Sequence, residues 1–147
     1  MKNAKELSTT EVMQRYDGQS VDWYLQSLVS LVNMSQLEFG ITLVVAGGVV
    51  SGKLVGGKKY FETFAEDFSG SWPGEAKEEI NRAFARNAEI YDTSNDPEGV
   101  PPPQFIHLID AKIFFSSGSL PTKSGVLWRG RINAVSGFHL GAFLEQK

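Results

Sequence analysis

The segment Phe105–Phe115 constrains the fold of this chain more than any other. Its eleven residues are rich in β-branched and aromatic side chains, with three prolines at 101–103 before it and Ser-Ser-Gly at 116–118 after it. Flanking residues of these types bound strands, so the pattern predicts a long β-strand. A second β-rich run covers Val126–Val135, and a third short run ends at Gly141. The C-terminal third is therefore predicted to form strands.

The N-terminal part predicts a helix that follows a flexible arm at residues 1–18. This helix would begin at Val21 with Ser20 as its N-cap, and it would end near Gly40. Apolar residues recur within it at intervals of three and four, which places them on one helical face. They are Leu25, Leu28, Val29 and Val32.

Two short β-rich runs, Ile41–Ala46 and Val49–Val55, predict a hairpin. Between them stand Gly47 and Gly48, which suit a type I′ turn because both of its central residues need positive φ. In the second strand Ser51 and Lys53 alternate with Val50, Gly52 and Leu54, so we expect the side chains of Ser51 and Lys53 on the solvent-facing side of the strand.

Two amphipathic segments after the hairpin predict a pair of helices, at Lys58–Asp67 and Glu75–Tyr91. Residues 93–103 are rich in Asp, Asn, Pro and Gly and predict an irregular linker. We expect a single domain over residues 19–147, in which residues 58–92 form a helical insertion. The predicted fold class is α+β, with an N-terminal helix and either a bent antiparallel sheet or a small Sm/SH3-like β-barrel.

The composition limits the chemistry that the chain can perform. Its 147 residues carry a formal net charge of −3, so no overall field attracts nucleic acid or an anionic membrane surface. The absence of cysteine excludes disulfides, thiolate metal sites and a cysteine nucleophile. The uncharged run Phe39–Gly52 is too short to span a bilayer as a helix, and Met1–Glu11 lacks the apolar core of a signal peptide. We expect a cytoplasmic protein without membrane contact.

The residue patterns predict neither a catalytic nor a metal site. The segment Gly47–Lys53 matches the first seven positions of a phosphate-binding loop, but Leu54 stands where a Mg²⁺-binding hydroxyl is required. The two histidines, His107 and His139, have no second histidine at metal-ligand spacing. His107 is expected to be a hydrogen-bonded structural residue in a strand. We therefore predict a protein that is not an enzyme and uses no cofactor or metal.

Two motifs stand out in the C-terminal third, FIHL-x-x-AKI and WRGRI-x-x-V-x-GF-x-LG, separated by a loop rich in Ser and Lys. They comprise Phe105–Leu108, Ala111–Ile113, Trp128–Ile132, Val135, Gly137-Phe138 and Leu140-Gly141. In these motifs the chain resembles the gas vesicle accessory protein U family, and Ile41–Phe68 resembles that family more loosely.

The resemblance implies an accessory role in the assembly or clustering of gas vesicles, with gas vesicle proteins as partners and without a part in forming the shell. It also marks a set of motif residues as a candidate interaction site. These residues are His107, Lys112, Trp128, Arg129, Gly130, Arg131, Gly137 and Phe138.

The order of predicted elements is also similar to that of the Sm-like small barrel, in which a helix precedes about five bent strands. Arg129-Gly130 would then correspond to the Arg-Gly pair in the fourth strand of that fold. This alternative implies an RNA-binding oligomer with a basic patch of Lys58, Lys59, Arg129 and Arg131. The acidic composition argues against a nucleic-acid partner.

Sheet edges predict self-association. The run Phe105–Phe115 contains no proline and only two charged residues, Asp110 and Lys112, so an exposed edge there would pair with another copy. The strands around Trp128–Leu140 would offer a second apolar edge. We expect a homo-oligomer held partly by these edges. The alternative is a monomer in which the helices of Lys58–Tyr91 or the N-terminal arm cover them.

Overall fold

The protein has an α+β fold, as predicted, and the computed structural model describes residues 6, 8–11, 21–92 and 99–143. Most of the proposed arm, residues 1–18, and residues 93–98 of the proposed linker lie outside the described residues. The elements in chain order are helix α1 (Trp23–Met34), strands β1 (Phe39–Val45) and β2 (Gly48–Val55), helices α2 (Gly57–Ser69) and α3 (Glu75–Ala85), a 3₁₀ helix (Arg86–Tyr91), strands β3 (Phe105–Phe115), β4 (Gly118–Leu120) and β5 (Val126–Arg131), a 3₁₀ turn (Ile132–Ala134) and strand β6 (Val135–Leu140).

Helix α1 is shorter than the sequence predicts at both ends. Its N-cap is Asp22, whose Oδ1 accepts hydrogen bonds from the backbone N–H of Tyr24 at 2.8 Å and of Leu25 at 3.3 Å. The prediction of Ser20 as the cap is therefore wrong, because the Asp22 carboxylate satisfies two free N–H groups of the first turn. The helix ends at Met34 because β1 already pairs with β2 from Phe39 onward.

The predicted hairpin is present, but its turn lies one residue earlier than expected. Val45 pairs with Gly48, so the two turn residues are Ala46 and Gly47. Gly47 has a φ of 86°, whereas Gly48 belongs to β2 and is absent from the residues with positive φ. The prediction that Gly48 needs positive φ is therefore wrong.

The predicted helical pair lies between β2 and β3. Helix α2 extends beyond the predicted Lys58–Asp67 to Gly57–Ser69. The second predicted helix is divided, since α3 ends at Ala85 and a 3₁₀ helix continues over Arg86–Tyr91. No helix among the described residues has the length and apolar character needed to cross a membrane.

The six strands form one antiparallel sheet in the order β4–β3–β2–β1–β6, and β5 also pairs with β3. No ladder joins β5 to β6 among the described strands, so the sheet is open and the predicted barrel is not confirmed. Strand β3 has partners on both sides. The prediction that Phe105–Phe115 offers a free edge is therefore wrong, because β2 occupies one side and β4 and β5 the other.

A bulge bends β3 near its middle. The register shifts between Ser51 and Lys53 on the β2 side and between Leu108 and Ala111 on the β5 side. Asp110, within this interval, has a φ of 50°, a left-handed conformation that Asp tolerates better than most residues. Bulges bend and twist the strand that carries them, which agrees with the predicted bent sheet.

The core lies on one face of the sheet, against α1. It is formed by Leu25, Val29, Val32, Ile41, Leu43, Val50, Leu54, Ile106, Leu108, Ala111 and Ile132. Because side chains alternate along a strand, Thr42, Ser51 and His107 point to the other face, where all three are buried. The prediction of a solvent-facing Ser51 is wrong because its Oγ lies 2.9 Å from Thr42 Oγ1 and accepts the N–H of Phe143 at 2.7 Å.

Candidate functional site

The described residues bring one titratable group into a fully buried position, His107 on β3. Its partner in the β5 register is Arg129, whose Nη1 lies 2.6 Å from His107 Nε2. A guanidinium only donates hydrogen bonds, so Nε2 accepts and the proton of the neutral ring sits on Nδ1. Burial lowers the pKa of His107 to about 3, and the positive charge of Arg129 acts in the same direction. The imidazole is therefore neutral at physiological pH.

Three aromatic rings enclose this imidazole, and we call Tyr60, Phe61 and Tyr91 the His107 cage. Their ring centroids lie 4.6 Å, 5.7 Å and 5.8 Å from that of His107, respectively. The buried Nδ1 has no hydrogen-bond partner among the described residues. Burial also raises the pKa of Tyr60, while the charge of Arg129 acts in the opposite direction. A ring held in this way packs the sheet against the helices.

The cage depends on a close approach at the start of α2. A β-carbon at Gly57 would overlap the ring of Tyr91, so this position requires glycine for steric reasons. The N–H of Gly57 also donates to Asn33 Oδ1 in α1 at 2.9 Å. Gly57 thereby connects α1, α2 and the 3₁₀ helix at the site.

Arg129 is held on one side and open on the other. Its guanidinium carbon lies 3.7 Å from the ring centroid of Phe105 and 5.4 Å from that of Phe61, the geometry of a cation–π stack. Among the described residues no carboxylate lies within 4.0 Å of this guanidinium. Arg129 is thus an exposed cation whose position is fixed by Phe105 and His107.

A cavity of about 900 Å³ lies beside Arg129, between α1, the 3₁₀ helix and residues 100–105. We call it the α1 cleft. Its described lining consists of Trp23, Gln26, Ser27, Ser30, Asn33, Met34, Ile90, Tyr91, Val100, Pro101, Pro102, Pro103, Gln104, Phe105 and Arg129. Among these residues Arg129 carries the only charge. Two apolar side chains of the lining are strongly exposed, Ile90 at 74% and Met34 at 59%.

The structure divides the motif residues predicted as an interaction site into separate groups. His107, Trp128, Arg129, Gly130 and Arg131 lie together where β3 pairs with β5. The indole of Trp128 covers Gly130 and packs against the core, so Trp128 contributes to the packing of the fold.

The remaining three predicted residues lie elsewhere in the sheet. Lys112 pairs with Ser51 beyond the bulge of β3. Gly137 and Phe138 are on β6, where they pair with β1, and Phe138 packs against the core. The eight residues therefore do not form one site.

The other sequence features show no catalytic arrangement among the described residues. Lys53, in the partial match to a phosphate-binding loop, lies in β2 and pairs with Glu38 at 3.8 Å. His139 is exposed, with its Nδ1 2.9 Å from the carbonyl oxygen of Leu140. No cluster of three or more potential metal-ligating side chains occurs in the described part of the chain.

The proposed basic patch is weakened by local ion pairs. Lys58 lies 3.8 Å from Glu62, and Lys59 contacts the carboxylate of Glu38. The guanidinium of Arg129 stacks on the ring of Phe105, so this contact fixes its position within the proposed patch.

The sequence reading missed the His107 cage and the α1 cleft. Tyr60 and Phe61 form an adjacent aromatic pair near the start of α2, and this pair is the available signal. The spacing rule assigned Phe61 to a simple amphipathic face and gave Tyr60 no role. Trp23 and Ile90 could not be linked from sequence, because their proximity depends on how α1 packs against the 3₁₀ helix.

Two long strands, β5 and β6, have a single partner among the described strands, since β5 pairs only with β3. Strand β6 pairs only with β1. Its sequence, VSGFHL, contains no proline and no Lys, Arg, Asp or Glu. Leu140 at its end is 65% exposed. An edge of this composition lacks the residues that usually prevent strand pairing between molecules.

These features define a small α+β protein with an aromatic cage around His107 and an uncharged edge strand, β6, that has one partner among the described strands. A family model described as Gas vesicle protein GvpU-like matches residues 22–143, most of the chain. The protein therefore belongs to the GvpU-like family of gas vesicle proteins, which confirms the resemblance seen in its C-terminal motifs. Neither a curated protein nor a solved structure matches the chain significantly.

Proposed function

We propose that this protein is a non-catalytic accessory protein of gas vesicle assembly or clustering, which acts through self-association and contacts with gas vesicle proteins. Membership of the GvpU-like family supports the gas vesicle context. The enclosure of His107 supports a role without catalysis, because the ring is packed among aromatic side chains and hydrogen-bonded to Arg129. In this proposal the protein works in the cytoplasm.

The open edge of β6 carries the proposal of self-association. On the side away from β1, the backbone N–H and C=O groups of β6 pair with no described strand, so they can extend the sheet into a second copy. Closed symmetry is the usual outcome of such contacts. Strand β3, which the sequence suggested as the edge, already has partners on both sides. Strand β5, which also has one described partner, carries Arg129 and Arg131, whereas β6 has no Lys, Arg, Asp or Glu. The candidate interface is therefore β6, with Leu140 as its exposed apolar residue.

Light scattering over a dilution series tests this interface. We expect the wild type to exceed its monomer mass of 16.2 kDa at micromolar concentration, and Leu140→Lys to return it to the monomer. Leu37→Lys is the matched control, because Leu37 is 57% exposed and lies outside the strands. A wild-type mass of 16.2 kDa at every concentration, or equal behaviour of both variants, would refute the β6 interface.

Flotation tests the contact with gas vesicle proteins. Gas-filled particles rise on centrifugation, so protein bound to purified gas vesicles is recovered with them in the floating layer. We expect the wild type in the floating layer when gas vesicles are present. Without gas vesicles it should stay in the subnatant. Recovery in the subnatant in both cases would reject a direct contact.

The Sm-like alternative has one structural observation in its favour. When the three-residue β4 is set aside, the strand order is β5–β3–β2–β1–β6, and Arg129-Gly130 lies in β5, the fourth long strand in the chain. An RNA-binding oligomer would retain oligoribonucleotides with an affinity that falls as salt rises. Absence of such binding at low salt would leave the accessory role as the sole proposal.

A further inference from the structure

The α1 cleft combines an apolar lining with a single positive charge. Trp23, Met34, Ile90 and the three prolines supply apolar surface, and Arg129 supplies the charge. The described lining contains no Asp, Glu or Lys, so none of these lining residues competes for this guanidinium through a charge. An apolar pocket with one oriented polar group is the usual form of a small-molecule site.

We infer that the α1 cleft binds a small amphiphilic molecule with a carboxylate head and an apolar body. The carboxylate pairs with Arg129, and the apolar body lies against α1 and the proline segment 101–103. This binding function is separate from the proposed self-association, which uses β6 on another part of the sheet.

The guanidinium is prepared for a planar anion. Phe105 stacks on its face and His107 accepts one of its N–H groups, so its orientation is set before a ligand arrives. An arginine offers five N–H donors in a fixed fork that matches a carboxylate, and one of them is used by His107. Apolar surroundings strengthen such an ion pair relative to one in water.

Three other polar side chains of the cleft wall already have hydrogen-bond partners. Gln26 Nε2 donates to the carbonyl oxygen of Pro103 at 2.8 Å, and Ser27 Oγ donates to the carbonyl oxygen of Trp23 at 3.0 Å. Asn33 Oδ1 accepts the N–H of Gly57. The Gln26 bond also joins α1 to the proline segment, so the two walls of the cleft are held together without a ligand.

The size of the cleft favours a small molecule. Its volume of about 900 Å³ falls within the range of pockets that hold small ligands, roughly 300–1,000 Å³. A stable protein interface buries about 800 Å² on each partner, a surface much broader than one cleft.

Isothermal titration of the full-length protein with decanoate tests the inference, at concentrations below those that form micelles. Decanol and decyltrimethylammonium are the matched probes, because they keep the alkyl chain and replace the carboxylate by a neutral or a cationic head. We expect decanoate to bind, with an affinity at least about tenfold above that of decanol, and decyltrimethylammonium not to bind. Equal binding of the three probes, or no binding of decanoate, would overturn the inference.

Variants locate the binding site. Arg129→Gln keeps a hydrogen-bond donor for His107 but removes the charge, and we expect it to weaken decanoate binding by about tenfold or more. Arg82→Gln is the control, since it makes the same change on α3, outside the cleft lining. Unchanged affinity in a folded Arg129→Gln variant would contradict the assignment.

A second variant tests the cleft without changing Arg129 or its partners. Ile90→Glu places a carboxylate on the cleft wall at a position that is already 74% exposed, so the fold should tolerate it. We expect the like charge to weaken decanoate binding by about tenfold. Leu140→Glu on β6 should leave the affinity unchanged, and an equal loss in both variants would refute binding in the cleft.

Discussion

The two ends of the sheet are finished in different ways. At the β3–β5 end, α2 and the 3₁₀ helix enclose His107 with aromatic rings, and Arg129 completes the enclosure. At the other end β6 pairs with β1 and has no second partner among the described strands. Motif residues occur at both ends, and their physical roles differ. Near β5, His107 is enclosed by aromatic rings and Arg129 borders the cleft. Gly137 and Phe138 instead lie on β6, the strand proposed for self-association.

Shortening a side chain should lower the stability of the protein more at the enclosed β3–β5 end than at the β6 end. We expect His107→Ala to lower the free energy of unfolding by about 3 kcal/mol or more, as for a buried aromatic ring, because it leaves a void among the His107 cage. Urea unfolding followed by circular dichroism measures this change.

His139→Ala is the matched control at the open end. Its ring is exposed, so the loss should stay within about 0.5 kcal/mol. Similar losses in the two variants would contradict the difference between the ends.

The pH dependence of stability should also distinguish the ends. The folded-state pKa of His107 is about 3, far below the value of about 6.5 in an unfolded chain. Below pH 6.5 the unfolded chain therefore binds a proton that the folded protein does not, so this contribution to stability is present above pH 6.5 and is lost as the pH falls toward 3. The charged or titratable side chains that face the imidazole are those of Arg129, Tyr60 and Tyr91.

Between pH 6.5 and 4.5 we expect the wild type to lose about 2–3 kcal/mol more than His107→Phe, which lacks the titrating group. Parallel urea titrations at each pH measure the difference. A parallel pH profile for His107→Phe and the wild type would disprove the role of His107.

Substitutions in the turn that joins β1 to β2 should have a smaller effect on stability than His107→Ala. Gly47 has positive φ and Gly48 does not, so Gly47→Val should cost about 1–2 kcal/mol and Gly48→Val clearly less. A β-carbon at Gly48 meets only Ile113 Cγ2, at 3.4 Å. Thermal unfolding of the two variants compares the positions, and the reverse order of stability would restore the turn expected from the sequence.

The sequence predicted the elements of this fold well where the pattern is local. The strand Phe105–Phe115 has the expected bounds, because prolines and Ser-Ser-Gly mark both ends. The hairpin and both helical segments between β2 and β3 follow from spacing and glycine positions. The N-cap and the turn were misplaced by one or two residues, because neighbouring residues of similar chemistry compete for these positions.

Contacts between distant segments were not predictable from such patterns. Nothing near His107 in the sequence indicates that Tyr60 and Tyr91 would enclose it, and pairing with Arg129 depends on the β3–β5 register. Ser51 was misassigned for the same reason. Its alternation with apolar residues is typical of a solvent-exposed strand face, but the C-terminal segment Gly141–Phe143 covers Ser51 on that face.

The smallest effect that we predict concerns this covering segment, near the open end of the sheet. Thr42 Oγ1 donates its single proton to the carbonyl oxygen of Gly141 at 2.7 Å, so Ser51 donates to Thr42 and accepts the N–H of Phe143. Ser51→Ala removes both bonds of Ser51. Because Phe143 is 48% exposed, water can replace its lost acceptor, and we expect a cost of about 1 kcal/mol.

Hydrogen exchange in the Ser51→Ala variant should accelerate at the Phe143 amide and stay unchanged in β3. Ser136→Ala, which removes an exposed bond to the carbonyl oxygen of Val44, is the control and should cost less than about 0.5 kcal/mol. Unchanged exchange at Phe143 in Ser51→Ala would show that the segment is held by other contacts.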